Sequence, residues 1–382
     1  MISPAEVVRR SEQFKNMDAM EETIIMKQRH PRLVHRAGLA VLMLTGMTSV
    51  YAQQTAAVPI TVSAGDYAAA AAAVPGHIHA RSALGTNQRT AAAGGLESLS
   101  SAQQKAVASV QNLTTQGGIA VRYPGDLFYM GGPTVGAEQS HAIYVNPNSG
   151  CPAPSCWGNP EQFLKDLGSS NFIHLTDQYT GLTSSHRYTL GTHFVASVSP
   201  VPTPAYTGND MVAIVHAAAS IAGTGYGHIY HIFLTPGTDE CFDNTFTVCY
   251  SPDNTASWYF CAYHGSVDFP DIGHVLFSVE PYQNVPGCWD EVGTPNGRVV
   301  DSTNDTLSHE LFETITDPDG TGWWQYYGGG MSGEEIGDEC AFASHNGDGS
   351  SVPFTFSMGR NVYATQPEYS NSAHGCTVQP SD

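Results

Sequence analysis

The stretch Asp210-Met211-Val212-Ala213-Ile214-Val215-His216-Ala217-Ala218-Ala219-Ser220-Ile221, followed by Ile229-Tyr230-His231-Ile232-Phe233-Leu234, decides the reading of the fold. The first run is long and apolar enough for a buried helix, with Asn209 or Asp210 at its start as the cap. The second is a short apolar run bounded by glycines, which reads as a strand. The same alternation extends both ways. Strands are expected at Ile119–Tyr123, Ala142–Asn146, Phe172–Thr176, Phe194–Val198, Trp258–Tyr263 and Val275–Val279, and helices at Glu161–Leu167 and Asn304–Ile315. Asn159-Pro160 opens the first of these helices with a cap and a proline in its first turn. Strands separated by helices imply an α/β layered domain with a mixed sheet rather than a sandwich. Beyond Asp317 the chain is mostly loops, stapled by Cys340 and Cys376.

The helix that carries chemistry reads Leu307-Ser308-His309-Glu310-Leu311-Phe312-Glu313-Thr314-Ile315-Thr316-Asp317-Pro318. Residues four apart share a helix face, so His309 and Glu313 stand one above the other, with Glu310 about 100° round the axis. This is the layout of a His-Glu-x-x-His zinc helix with glutamate as the second ligand. Imidazole and carboxylate both suit zinc. Glu310 is then the general base that takes a proton from the attacking water. A third ligand is sought in Glu334-Glu335-Ile336-Gly337-Asp338-Glu339-Cys340, where Glu335 and Asp338 lie one helical turn apart and either completes the set. A plain exposed amphipathic helix is the competing reading.

Composition restricts the function classes. The 382 residues include 15 basic and 35 acidic side chains, a formal charge of −20, which excludes a phosphate-tracking nucleic-acid binder. The run Lys27–Arg36 is basic, Ala37–Val50 is apolar, and Tyr51-Ala52 supplies a small residue for cleavage. Residues 26–52 read as a secretory signal peptide, and 1–25 as a mis-called upstream extension. The apolar run is too short for stable membrane insertion after cleavage. Past Ala52 the chain keeps 8 basic against 30 acidic residues, a charge of −22. Residues 53–115, rich in Ala, Gln, Thr and Ser, read as a low-complexity linker or pro-segment, and 116–382 as the folded domain.

A secreted or periplasmic destination makes the eight cysteines four disulfides. The sequence does not fix their pairing; chain proximity suggests Cys151 with Cys156, Cys241 with Cys249, Cys261 with Cys288 and Cys340 with Cys376. Serine-hydrolase elbows and phosphate loops have no match, and Gly223-Thr224-Gly225-Tyr226-Gly227 follows a helix where a dinucleotide loop must follow a strand.

The string Ser308-His309-Glu310-Leu311-x-Glu313-x-x-Thr316-Asp317-Pro318 with Glu335-Ile336-Gly337-Asp338-x-Cys340 resembles the phosphate-induced protein/EXORDIUM family. Further matching pieces are Gly131-Gly132-Pro133, Phe260-Cys261-x-Tyr263-His264, Val279-Glu280-Pro281-Tyr282, Pro286-Gly287-Cys288, Thr294-Pro295-Asn296-Gly297 and Gln366-Pro367-Glu368-Tyr369-Ser370-Asn371. The resemblance spans roughly residues 124–378 and implies secretion and a zincin-like layered domain more firmly than a reaction. Where plant members mostly carry a small residue, this chain has Phe312.

The functional expectation is an exported zinc-dependent hydrolase acting on peptide bonds or a cell-wall polymer. His309 and Glu313 hold the metal, with Glu335 or Asp338; Glu310 acts as base, and His264 as transition-state donor or fourth ligand. Calcium is the less favoured ion, since an imidazole is not its ligand. Trp323, Trp324 and Tyr326, among glycines, read as a substrate lid or stacking platform, or else as cover for the core. The alternative function is a non-catalytic secreted cell-surface or carbohydrate-binding protein with a structural or vestigial metal site.

Overall fold

The computed structural model describes residues 56–63, 72–74, 78–79, 125–241, 246, 249–252, 260–285, 288, 295–326, 333–340 and 354–379. In chain order the main elements are β1 (Val58–Val62), β2 (Ala72–Val74), β3 (Ile78–His79), β4 (Glu138–Val145), α1 (Pro160–Leu167), β5 (Tyr188–Leu190), β6 (Phe194–Val198), α2 (Gly208–Ala222), β7 (His228–Phe233), β8 (Ala262–Phe269), β9 (Gly273–Glu280) and α3 (Arg298–Thr316).

The nine strands form one mixed sheet in the order β1-β6-β4-β7-β9-β8-β2, with β3 also on β8 and β5 also on β4. β1, β6, β4, β7 and β9 run parallel, whereas β8 is antiparallel to β9 and to β2 and β3. Successive strand residues point to opposite faces. Ile143, Val145, Tyr230, Ile232, Phe277 and Val279 therefore join α2 in one core. Ala142, Tyr144, Ile229, Phe233 and Leu276 join α1 and α3 in the other. The result is a three-layer α/β domain, α2 on one side and α1 with α3 on the other.

Several elements depart from the sequence reading. Phe172–Thr176, expected as a strand, is a 3-10 helix. A five-residue apolar run carries too little period to separate the two, and Thr176 Oγ1 bonds back to the Ile173 carbonyl three residues earlier. The cap of α2 is Thr207, not Asn209 or Asp210; Asp210 is its capping-box partner. Asn159 precedes Pro160 as expected but makes no side-chain cap. Within the segment read as linker or pro-segment, β1, β2 and β3 are strands of the main sheet. Residues 26–52 and Ile119–Tyr123 lie outside the described residues.

Four disulfides join Cys151–Cys156, Cys241–Cys249, Cys261–Cys288 and Cys340–Cys376. They fit an extracellular or otherwise oxidising compartment. Among the described residues no helix is long and apolar enough to cross a membrane.

Candidate metal centre

Helix α3 is buried along its whole length from Asp301 to Thr316, polar residues included. Its apolar stripe, Leu307, Leu311, Phe312 and Ile315, packs into the core beneath the sheet, with Phe312 4.7 Å from Phe172. Its hydroxyls are satisfied inside the helix: Thr306, Thr314 and Thr316 donate to carbonyls one turn back. At its start Asp301 accepts from the backbone N–H groups of Asn296 and Gly297. The remaining face, His309, Glu310 and Glu313, is neither wet nor apolar, so the exposed amphipathic reading fails.

His309 Nε2 lies 3.1 Å from Glu313 Oε1 and 3.9 Å from Asp338 Oδ1, and these three groups converge tightly enough to hold a metal ion. The second-ring nitrogen is fixed by Gln366. Its amide nitrogen donates to the Gly337 carbonyl at 2.7 Å, so its Oε1 accepts from His309 Nδ1 at 3.1 Å. That bond leaves the Nε2 lone pair turned toward the carboxylates, as a ligating histidine requires. Asp338 N donates to Glu313 Oε1 at 3.1 Å, and the Gln366 backbone N–H donates to Asp305.

Glu335 and Asp338 do not meet at one histidine. Asp338 opens a 3-10 turn, Asp338–Cys340, and faces His309, whereas Glu335 Oε1 is 3.8 Å from His264 Nε2. The expectation that one helical turn presents both carboxylates together is corrected accordingly. Gly337 between them is in contact with the cluster: a Cβ there would lie 2.7 Å from His309 Nδ1 and 2.8 Å from Glu313 Oε1.

His264 is fully buried inside β8. Its Nδ1 is 3.3 Å from Glu310 Oε2 and 3.6 Å from Glu313 Oε2, and its Nε2 is 3.3 Å from the Asp317 carbonyl oxygen. His264, Glu310 and Glu313 form a second group able to hold an ion.

Two features lie outside the ligand set expected from the sequence. Glu368 is fully buried, neither of its carboxylate oxygens has a hydrogen-bond partner, and burial pushes its carboxyl well up; His309, Glu313, Asp305 and Asp338 act on it electrostatically. The second is a polar row on the sheet face under α3. His231, Ser278 and His264 are register partners on adjacent strands. His231 Nδ1 is 2.8 Å from Ser278 Oγ, which donates to Glu280; Nε2 is 3.4 Å from Ser140 Oγ, which donates to Glu138. Burial raises the carboxyls of Glu138 and Glu280 to about 8 and lowers His231 to about 3, with Glu310 adding to the shift of Glu280.

The aromatic segment is a strand, Trp323–Tyr326, paired with Phe128–Tyr129 and Gly333–Glu334. Trp324 is buried, which suits core cover and not a lid. Trp323 is half-buried, donates to the Tyr179 carbonyl and packs 5.2 Å from the exposed ring of Tyr129. The Tyr326 side chain lies outside the described residues. Asp317 accepts from Gly322 N, and Asp319 pairs with Tyr226 and His274.

Comparison with known protein families, with curated proteins and with solved structures gives no match for this chain.

Proposed function

We propose that this is an exported metal-dependent hydrolase, a zinc peptidase-like relative of the EXORDIUM proteins with a zincin-like layered domain. The carrying observation is the convergence of His309 Nε2, Glu313 Oε1 and Asp338 Oδ1, with the histidine tautomer fixed by Gln366. One imidazole and two carboxylates are a donor set that suits zinc. Zinc held there supplies Lewis acidity and lowers the pKa of water at the site. Glu310, one residue along the helix, accepts the proton of the attacking water, with His264 Nδ1 3.3 Å from its Oε2. Peptide bonds are the substrate class that the helix motif favours.

Glu310→Gln tests this reading. The variant is expected to retain the ion at His309 while hydrolysis of a peptide library falls by about 10²- to 10⁴-fold, the usual range for loss of a general base. Wild-type rates in Glu310→Gln would overturn it. A second reading, a non-catalytic secreted cell-surface or carbohydrate-binding protein, is supported by the exposed Tyr129 ring against Trp323, a surface on which a sugar can stack. Retained metal with no hydrolysis in the wild type, and glycan binding lost in Tyr129→Ala, would favour it.

A further inference from the structure

Helix α3 sets Glu313 between two imidazoles. Its Oε1 is 3.1 Å from His309 Nε2, and its Oε2 is 3.6 Å from His264 Nδ1. The two histidines are built alike. Each directs one ring nitrogen at a carbonyl-type oxygen, His309 at Gln366 Oε1 and His264 at the Asp317 backbone, 3.1 and 3.3 Å away. Each therefore donates on that side and turns its other nitrogen, with its lone pair, to carboxylates. For His264 these are Glu310 Oε2 and Glu313 Oε2. A lone pair facing two anions in a dry site is repulsive unless a proton or a metal cation lies between them.

Charge balance points the same way. Glu310, Glu313, Glu335 and Asp338 stand around these two imidazoles. With these four carboxylates ionised and both rings protonated, two negative charges would remain; one dication with neutral rings leaves the same two, and two dications leave none. Glu368 adds an independent sign of missing positive charge, since it is fully buried with neither oxygen partnered.

We propose that His264, Glu310 and Glu313 hold a second divalent transition-metal ion, with the Glu313 carboxylate bridging it to the ion at His309. This inference rests on the metal reading of the His309 site. Glu310 then turns Oε2 to the second ion and uses Oε1 for the proton of the attacking water. The two-ion arrangement places the site with hydrolases that clamp attacking and leaving oxygens from both sides.

The test uses the full mature chain with its disulfides intact, stripped of metal and titrated with Mn(II), and read by elemental analysis and electron paramagnetic resonance. The expected result is two ions per chain and an exchange-coupled spectrum once both positions fill. His264→Ala should bind one ion with an uncoupled spectrum. A wild type that saturates at one ion, uncoupled, and loses it in His309→Ala but not in His264→Ala overturns the second site and leaves the hydrolase reading intact. A wild type that binds none overturns both. The wild-type spectrum decides the matter even if a variant fails to fold.

Discussion

Gly337→Ala is a single methyl group aimed at the centre of the site. The added Cβ would lie 2.7 Å from His309 Nδ1, 2.8 Å from Glu313 Oε1 and 2.9 Å from His309 Cε1. Ordinary contact begins near 3.4 Å, so the imidazole and the carboxylate must each withdraw by about half an ångström or more. Neither moves freely. His309 is tied to Gln366, Glu313 Oε1 accepts from Asp338 N, and both side chains belong to a helix buried on all sides. Overpacking of this kind costs about 1–3 kcal/mol. It also breaks the Gln366 bridge, because the amide bonds the Gly337 carbonyl and His309 together. Loss of such an outer-shell partner costs about 10- to 100-fold in metal affinity. Urea unfolding in chelator measures the first effect, and zinc competition titration measures the second. A Gly337→Ala protein with wild-type stability and affinity would refute the close-packed cradle, and with it the assignment of Gln366.

Other perturbations address the supports of the site. Cys340→Ser with Cys376→Ser opens a disulfide of sequence separation 36 and should lower stability by about 3–4 kcal/mol on the chain-entropy account. It should also weaken zinc binding, since Cys340 ends the turn that begins at Asp338; unchanged affinity would show that the turn holds itself. The sheet row gives a pH dependence. Glu138 and Glu280 titrate near 8 when folded against an ordinary 4.5, so the native state keeps protons that the unfolded chain has lost. Their contribution is complete below pH 4.5 and is lost as pH rises through 8. His231, lowered to about 3, acts in the opposite sense only below its ordinary 6.5. Metal-free stability should therefore fall from pH 6.5 to 8, by up to about 1.4 kcal/mol per pH unit for each acid. Glu138→Gln should remove about 2 kcal/mol of that fall over the interval, read by urea unfolding; an unchanged slope would sink the assignment.

Much of the site was legible because it is local. His309, Glu310 and Glu313 sit on one helix, and a spacing of one and four residues fixes their directions. The core strands were legible for the same reason: Phe194–Val198 and Ile229–Leu234 are apolar runs between turn residues, and both lie in the sheet. What the sequence leaves open depends on tertiary geometry. Glu335 and Asp338 are three apart, yet only Asp338 lies in the 3-10 turn, and the two face different histidines. Gln366 meets His309 across 57 residues, and no periodicity announces such a contact. Glu280 and Glu368 were visible only as parts of matching strings, with nothing local to mark them as buried. Val58–Val62 lies in an alanine-rich region whose composition hides one edge strand; its Val, Ile and Thr residues suit a strand, and it pairs with Phe194–Val198.

The most direct test of the account is transition-metal content after extensive dialysis, for the wild type beside His309→Ala and Glu313→Gln. The account expects bound zinc in the wild type, a loss in His309→Ala and the deepest loss in Glu313→Gln, with the variants still folded. A folded wild type that retains no transition metal would contradict it, and the buried carboxylates would then have to be neutralised by protons alone.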